Sequence, residues 1–170
     1  MNKLKGILLT QGMHGMISQV EGLAKALDID FTHHTVELNN FWKIIPPKFT
    51  PISQSIYKKI DPSEFDVIIS CGRKSVIPSI HLKNSSKKKV INIHIQDPKV
   101  NFDNFDFIVA PEHDSIKGSN VITTKGAIHY LTDNEISKNK DYLEALIKKD
   151  ERKICSLILG GPTKYYDYSI

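Results

Sequence analysis

The sequence predicts an α/β fold: a Rossmann-like open, mostly parallel sheet with helices on both faces. Three observations carry that expectation. Short, β-branched apolar runs recur along the chain, among them Leu4–Thr10, Phe65–Ser70, Val90–Ile95 and Asp106–Ala110, and read as strands buried on both faces. Two of these runs pass through a glycine-bearing loop into a helix, the unit that presents backbone N–H groups at a helix N-terminus. Two others end in polar clusters, Gln96-Asp97-Pro98 after the first and Pro111-Glu112-His113-Asp114 after the second. In an open α/β sheet the carboxyl ends of the strands form the ligand-binding edge.

Leu4–Thr10 is the first strand. After the loop Gln11-Gly12-Met13-His14-Gly15, a helix is predicted from Met16 to Leu27, with Ile17, Val20, Leu23, Ala24 and Leu27 at helical spacing. Phe31–Leu38 is β-branched enough for a second strand. Its adjacent His33 and His34 face opposite sides, one expected half-buried and one exposed, and so cannot share a metal. Asn39–Pro51 carries Phe41, Trp42, Pro46, Pro47 and Pro51, and reads as an irregular excursion whose aromatics fold back on the domain, with a partner- or acceptor-binding lip as the alternative. Ile52–Ile60 reads as a short helix. Phe65–Ser70 is the third strand and leads through Cys71-Gly72-Arg73-Lys74 to a helix over Ser75–Lys83, with Pro78 tolerated in its first turn. Val90–Ile95, Asp106–Ala110 and the short Val121–Thr123 complete the strands of this region. Thr132, with Glu135 three residues on, forms a capping box that opens a helix running to about Lys149. Ile154–Leu159 is a last buried strand, and it ends in Gly160-Gly161-Pro162-Thr163.

A length of 170 residues suits one compact domain with a real core. The net charge of +4 is mild and the lysines are spread. Without a basic stripe and interleaved aromatics, nucleic acid is not an expected partner. No apolar run approaches the length of a membrane span. The N-terminal MNKLKGILLT lacks a small-residue cleavage site and reads as a strand, not a signal peptide. Cys71 and Cys155 lie at the end of, or inside, predicted strands, the pattern of reduced, buried thiols in a cytoplasmic protein.

Two glycine loops are candidate anion sites. Gly12 and Gly15 flank His14 before the first helix, and Gly72 precedes Arg73 before the second. A guanidinium at a helix N-terminus suits a phosphate or a carboxylate. The alternatives are structural: a tight turn needs glycine without any ligand, and Arg73 can be an exposed turn residue. Asp97 before Pro98 either serves chemistry or fixes a turn, and Glu112-His113-Asp114 either forms a site or caps the next segment. His113 lies between two acids, so a carboxylate can orient its ring and raise its pKa. A metal is not expected, because three consecutive residues do not converge on one ion and no second cluster has ligand spacing.

Several segments together resemble one family. GMISQVEGLAKAL, ISCGRKSVIPSIHLK, HIQDPKV, FDFIVAPEHD, NVITTKGAIHYLT and LILGGPTKYY occur in the order expected of the ELM family. Its plant members are named for mitochondrial fission, and its bacterial members are often labelled nucleoside-diphosphate-sugar epimerases. The family is similar to two-domain glycosyltransferases of the GT-B type. The resemblance implies that residues 1–150 form a Rossmann-like acceptor-side domain with a connecting helix, and that residues 151–170 open a truncated donor-side domain. It implies a nucleotide sugar as donor substrate rather than a resident cofactor, an acceptor of unspecified chemistry, and a general base among Asp97, His113 and Asp114. Gly12, His14, Gly15, Gly72, Arg73, Gln96 and Glu112 would line the substrate side, and Gly160 and Gly161 would start the donor diphosphate loop. If the chain is truly truncated, such a half is expected to be inactive alone, and it could still bind an acceptor or join a separately encoded donor half. The expected compartment is a bacterial-type cytoplasm, with peripheral membrane association left open. A non-catalytic binding module is the alternative. An NAD-dependent epimerase is a weaker one: Glu37 can mimic a ribose-binding acid, but the G-x-G-x-x-G turn and a Tyr-x-x-x-Lys pair are missing.

Overall fold

The computed structural model describes residues 3–60, 64–146, 155 and 157. The chain divides into two compact units, Met1–Leu131 and Thr132–Ile170.

The first unit is a six-stranded sheet of β1 (Lys5–Thr10), β2 (Asp30–Thr35), β3 (Val67–Cys71), β4 (Ile91–Ile95), β5 (Phe107–Pro111) and β6 (Val121–Thr124). The order is β2-β1-β3-β4-β5-β6, and every pairing is parallel. This is the expected α/β Rossmann-like arrangement. Side chains alternate between the faces, as the pleat requires. Ile7, Leu9, Ile68 and Ile108 enter the cluster packed by α2 (Val76–Ser85) through Val76, Ile77 and Ile80. Leu8, Ile69, Ile93, Ile95 and Val109 enter the opposite cluster with Val20 and Ala24 of α1 (His14–Ala26). Each fully buried Leu or Ile contributes about 1.5–3 kcal/mol, which is why these strands read as unbroken apolar runs. α1 ends on Asp28 in the left-handed region (φ 52°), with the Ile29 N–H returning to the Ala24 carbonyl.

The excursion after β2 contains two short 3-10 turns, Asn40–Lys43 and Pro47–Phe49. Trp42 packs against the α2-side core as expected, but Phe41 and Phe49 do not fold back and stand exposed. The helix expected over Ile52–Ile60 is reduced to a 3-10 turn at Gln54–Ile56. The backbone here has a better partner: Leu38 and Tyr57 form an antiparallel bridge, with Asn39 N–H to Ile56 O and Lys58 N–H to Glu37 O, which buries Ile56 and Tyr57. His33 and His34 are both half-buried, so the expected exposed member of the pair is corrected.

Beyond β6 the chain turns onto the α1 face. Ile128 packs on that cluster, and the His129 backbone lies so close to α1 that a Cβ added at Gly22 would sit 2.6 Å from the His129 carbonyl. An apolar groove of about 380 Å³ remains on this face, between Leu23 and Leu27 of α1 and Ile93, Phe107, Val109 and Ile122 of the sheet.

The second unit contains α3 (Asp133–Leu146). Its capping box is formed as expected: the Thr132 N–H donates to Glu135 Oε2 (3.1 Å), and the Glu135 N–H donates to Thr132 Oγ1 (3.3 Å). Cys71 is buried, but Cys155 is exposed, which corrects the expectation of two buried thiols. Leu157 of the expected buried strand Ile154–Leu159 is likewise 82% exposed, which corrects its expected burial, and Ile154, Ser156, Ile158 and Leu159 lie outside the described residues. No helix among the described residues is long and apolar enough to cross a membrane.

Candidate functional site

From β1 the chain steps to one side of the sheet, and from β3 onward to the other. The switch point therefore lies between the C-terminal ends of β1 and β3, where open α/β sheets form their crevice. Both glycine loops meet there. Gly72 adopts φ 90° and ψ 158°, a region open essentially to glycine alone. A Cβ at Gly72 would lie 2.6 Å from Gln11 Nε2 and 2.6 Å from Met16 Sδ, so the two turns are packed together. Ser75 Oγ fixes the second turn by hydrogen bonding to the carbonyls of Cys71 (2.9 Å) and Gly72 (2.7 Å).

The first turn is held by Thr10. Its Oγ1 accepts from the Gly12 N–H (3.0 Å) and shares a 2.8 Å hydrogen bond with His33 Nε2, whose direction is set by the His33 tautomer. Burial lowers the His33 pKa, against the pull of Glu21. α1 then starts from Met13 with no side-chain cap and no acid in its first turn, and His14 and Gly15 are exposed. Unsatisfied N–H groups of that kind suit an anion.

Beside Gly72 lies a cleft of about 340 Å³. Pro46 and Pro47 form one wall, Gly72 and Arg73 the base of the next loop, and Gln96 to Lys99 the far side. Arg73 does not point a free guanidinium into it. Its Nη2 donates to the carbonyls of Ile44 (2.8 Å) and Ile45 (2.8 Å), with Lys43 at 3.4 Å, and so ties the excursion to the β3–α2 turn. Gln96 (φ 82°) and Lys99 (φ 57°) both lie in the left-handed region, which costs about 1–2 kcal/mol per non-glycine residue. What holds this turn is Asp97: Oδ1 accepts from the Lys99 N–H (2.9 Å) and Oδ2 from Lys99 Nζ (2.6 Å). The hydrogen bond to Asp97 raises the Lys99 pKa, and the charges of Asp97 and Asp114 add to it.

Glu112–Asp114 form a 3-10 turn closed by Ser115 in the left-handed region. Asp114 is the half-buried member of this turn. His113 is 75% exposed, and its Nε2 is 3.7 Å from Asp114 Oδ1. Beneath the rim, fully buried His94 takes a 2.8 Å hydrogen bond between Nδ1 and Ser70 Oγ, and stacks at a tilt on Phe105. Burial pushes its pKa down to about 3, opposed by Asp97.

Of the residues singled out from the sequence, Gly72, Arg73, Gln96 and Asp97 share one cleft, and Asp114 reaches Lys99 electrostatically. Gly12, His14 and Gly15 sit at the neighbouring helix start. Glu112 and His113 are exposed on the β5 rim. Gly160 and Gly161 lie outside the described residues. Sequence reasoning missed Lys99, while Pro46 and Pro47 belong to the excursion that the sequence offered as an alternative acceptor-binding lip. Its signal for Lys99 was the Asp-Pro-Lys spacing, since an Asp side chain commonly bonds the backbone two residues on. Glu37, the ribose-binding candidate, is paired with Lys58 at 2.5 Å. No group of three or more His, Cys, Asp or Glu that could hold a metal occurs among the described residues.

An all-parallel sheet with a cleft near its switch point, rimmed by glycine turns, carboxylates and lysine, defines a Rossmann-like α/β domain. The family is given by sequence: the model described as Mitochondrial fission ELM1 matches residues 14–170, and the chain belongs to that family. No curated protein and no solved structure matches the chain.

Proposed function

We propose that this chain is the acceptor-side half of a GT-B-like, nucleotide-sugar-dependent glycosyltransferase, and that it transfers no sugar by itself. The observation that supports this best is the cleft beside Gly72, where the ends of β3 and β4 and the Pro46-Pro47 wall converge next to the switch point. In this reading an acceptor hydroxyl enters the cleft, and a general base on the β4 or β5 rim takes its proton. Asp97, His113 and Asp114 are the candidates. The uncapped start of α1 and the Lys99 ammonium offer positive potential to a departing diphosphate. The donor nucleotide would be held by a partner half.

The test is release of nucleoside diphosphate from UDP- and GDP-sugars. The chain alone should release none. The enzyme assembled with its donor half should turn over, and Asp97→Asn or Asp114→Asn should lower kcat by about 100-fold or more, the size of a lost general base. Full activity in both variants would sink the assignment of the base. Micromolar binding of NAD to the chain alone would instead support an epimerase.

One observation favours a second reading, a non-catalytic binding module. Both oxygens of Asp97 are engaged by Lys99, and Arg73 Nη2 is spent on three carbonyls, so two of the best candidate groups already have structural work. Saturable binding of an acceptor without turnover in any assembled form would decide for it.

A further inference from the structure

We propose that the excursion between β2 and β3 is a docking lip for an anionic lipid surface. Three observations carry this, and none depends on whether the cleft transfers sugar. The first is exposure: Phe41 is 67% exposed, Ile44 79% and Phe49 71%, within nine residues of one another. Single exposed apolar residues are ordinary, but three bulky ones on one short loop mark a contact surface. Trp42, between them, spends its ring on the core, so the segment had apolar contacts available inward and still holds these three outward.

The second observation is charge. Residues 39–60 contain Lys43, Lys48, Lys58 and Lys59 and no Asp or Glu, and Lys58 alone is paired with an acid outside the segment, Glu37. Lys43 and Lys48 are exposed and alternate with the apolar side chains, and Lys48 Nζ lies 6.0 Å from the centre of the Phe49 ring. Bulky apolar groups interleaved with lysines, without acids, match the boundary of an anionic bilayer, where the rings enter the acyl region and the ammonium groups meet phosphate.

The third observation is rigidity. Arg73 grips the carbonyls of Lys43, Ile44 and Ile45, and Thr50 Oγ1 bonds the Pro46 carbonyl at 3.0 Å. Asn39 Nδ2 bonds the Ser55 carbonyl at 2.6 Å. The exposed residues are held in place at the C-terminal edge of the sheet, so little ordering is lost on contact. Pro46 and Pro47 of the same segment wall the cleft, and docking there would place the cleft against the lipid surface.

The experiment is flotation of the full chain with vesicles of phosphatidylcholine alone or with phosphatidylglycerol added. The chain should float with the mixed vesicles, less so as salt rises. F41S/I44S/F49S should cut the partition coefficient by about 100-fold or more, because three buried apolar side chains are lost. K43Q/K48Q should cut it by about 30-fold on mixed vesicles and leave weak binding to neutral vesicles unchanged. K87Q/K89Q, equal in charge and placed before β4 at the other end of the sheet, should float like the wild type. The proposal is overturned if the wild type stays at the bottom of the gradient with both vesicle types. It is equally overturned if the serine variant floats as well as the wild type, or if K87Q/K89Q loses as much binding as K43Q/K48Q. Self-association that the serine variant abolishes while vesicles are ignored would make the lip an interface between copies, and would overturn the lipid assignment too.

Discussion

Replacing Gly72 by alanine tests the packing of the switch point. The residue sits at φ 90°, ψ 158°, where a side chain costs about 1–3 kcal/mol. The new Cβ would also meet Gln11 Nε2 and Met16 Sδ, both at 2.6 Å, and Met16 Cε at 2.8 Å. Those are the ends of flexible side chains, so they can move. Met16, however, packs against the α1-side core, and displacing it adds about 1 kcal/mol at the low end of overpacking costs. The expected loss is therefore about 2–4 kcal/mol, measured as a lower urea midpoint at unchanged slope. Gly15→Ala is the internal control: nothing lies within 4 Å of its added Cβ, and it opens α1. It should leave stability the same or raise it by up to about 1 kcal/mol. If Gly72→Ala shifts the midpoint no more than Gly15→Ala does, the description of this turn as a strained, closely packed junction is wrong.

Three further outcomes follow from buried groups. Burial holds the His94 ring near a pKa of 3 against 6.5 for the free side chain, so the unfolded chain takes up a proton that the folded chain refuses. Stability should be full above pH 6.5 and fall towards pH 3, by up to about 1.4 kcal/mol per pH unit. His94→Leu should flatten that slope in urea titrations at stepped pH, and an unchanged slope would refute the assignment. The Asn92 side chain is buried with neither Nδ2 nor Oδ1 hydrogen-bonded, so Asn92→Val should raise stability by about 1–2 kcal/mol; an equal loss in calorimetry would mean that the amide has a partner. Burial pushes the Cys71 thiol up to about 12, while Cys155 is exposed, so a thiol reagent should titrate one cysteine in the native protein and two in denaturant.

What was legible in the sequence was what is local or doubly buried. Runs such as Ile7–Leu9 and Val67–Ile69 are covered on both sides, and the sequence has no room there for alternation. The capping box of Thr132 and Glu135 is a contact over three residues and needed nothing else. The segment after Pro51 misled because Ile52, Ile56 and Ile60 recur at helical spacing, whereas the deciding partner of Tyr57 is Leu38, nineteen residues earlier in the chain. The aromatics of the excursion misled for a different reason: composition says that Phe41 and Phe49 are apolar, but not that Trp42 alone finds core space. In the site, the Gly72-Arg73 and Gln96-Asp97 pairs were visible as motifs. The target of Arg73 was not, because backbone carbonyls leave no mark in a sequence.

The strand order also sets how the chain assembles as it is made. β1 lies inside the sheet, flanked by β2 and β3, so its second neighbour is missing until residue 71 has been synthesised. From then on each new strand is laid beside the last, β4 on β3, β5 on β4 and β6 on β5, always at the same growing edge. Parallel pairings close long loops and are slow to form from a complete unfolded chain. Emerging in sequence, they need no search among alternatives, because only one edge is open on the side where the next strand arrives. The protein should therefore reach its fold more faithfully during translation than on dilution from denaturant, where β4, β5 and β6 compete at once for the bare edge of β3.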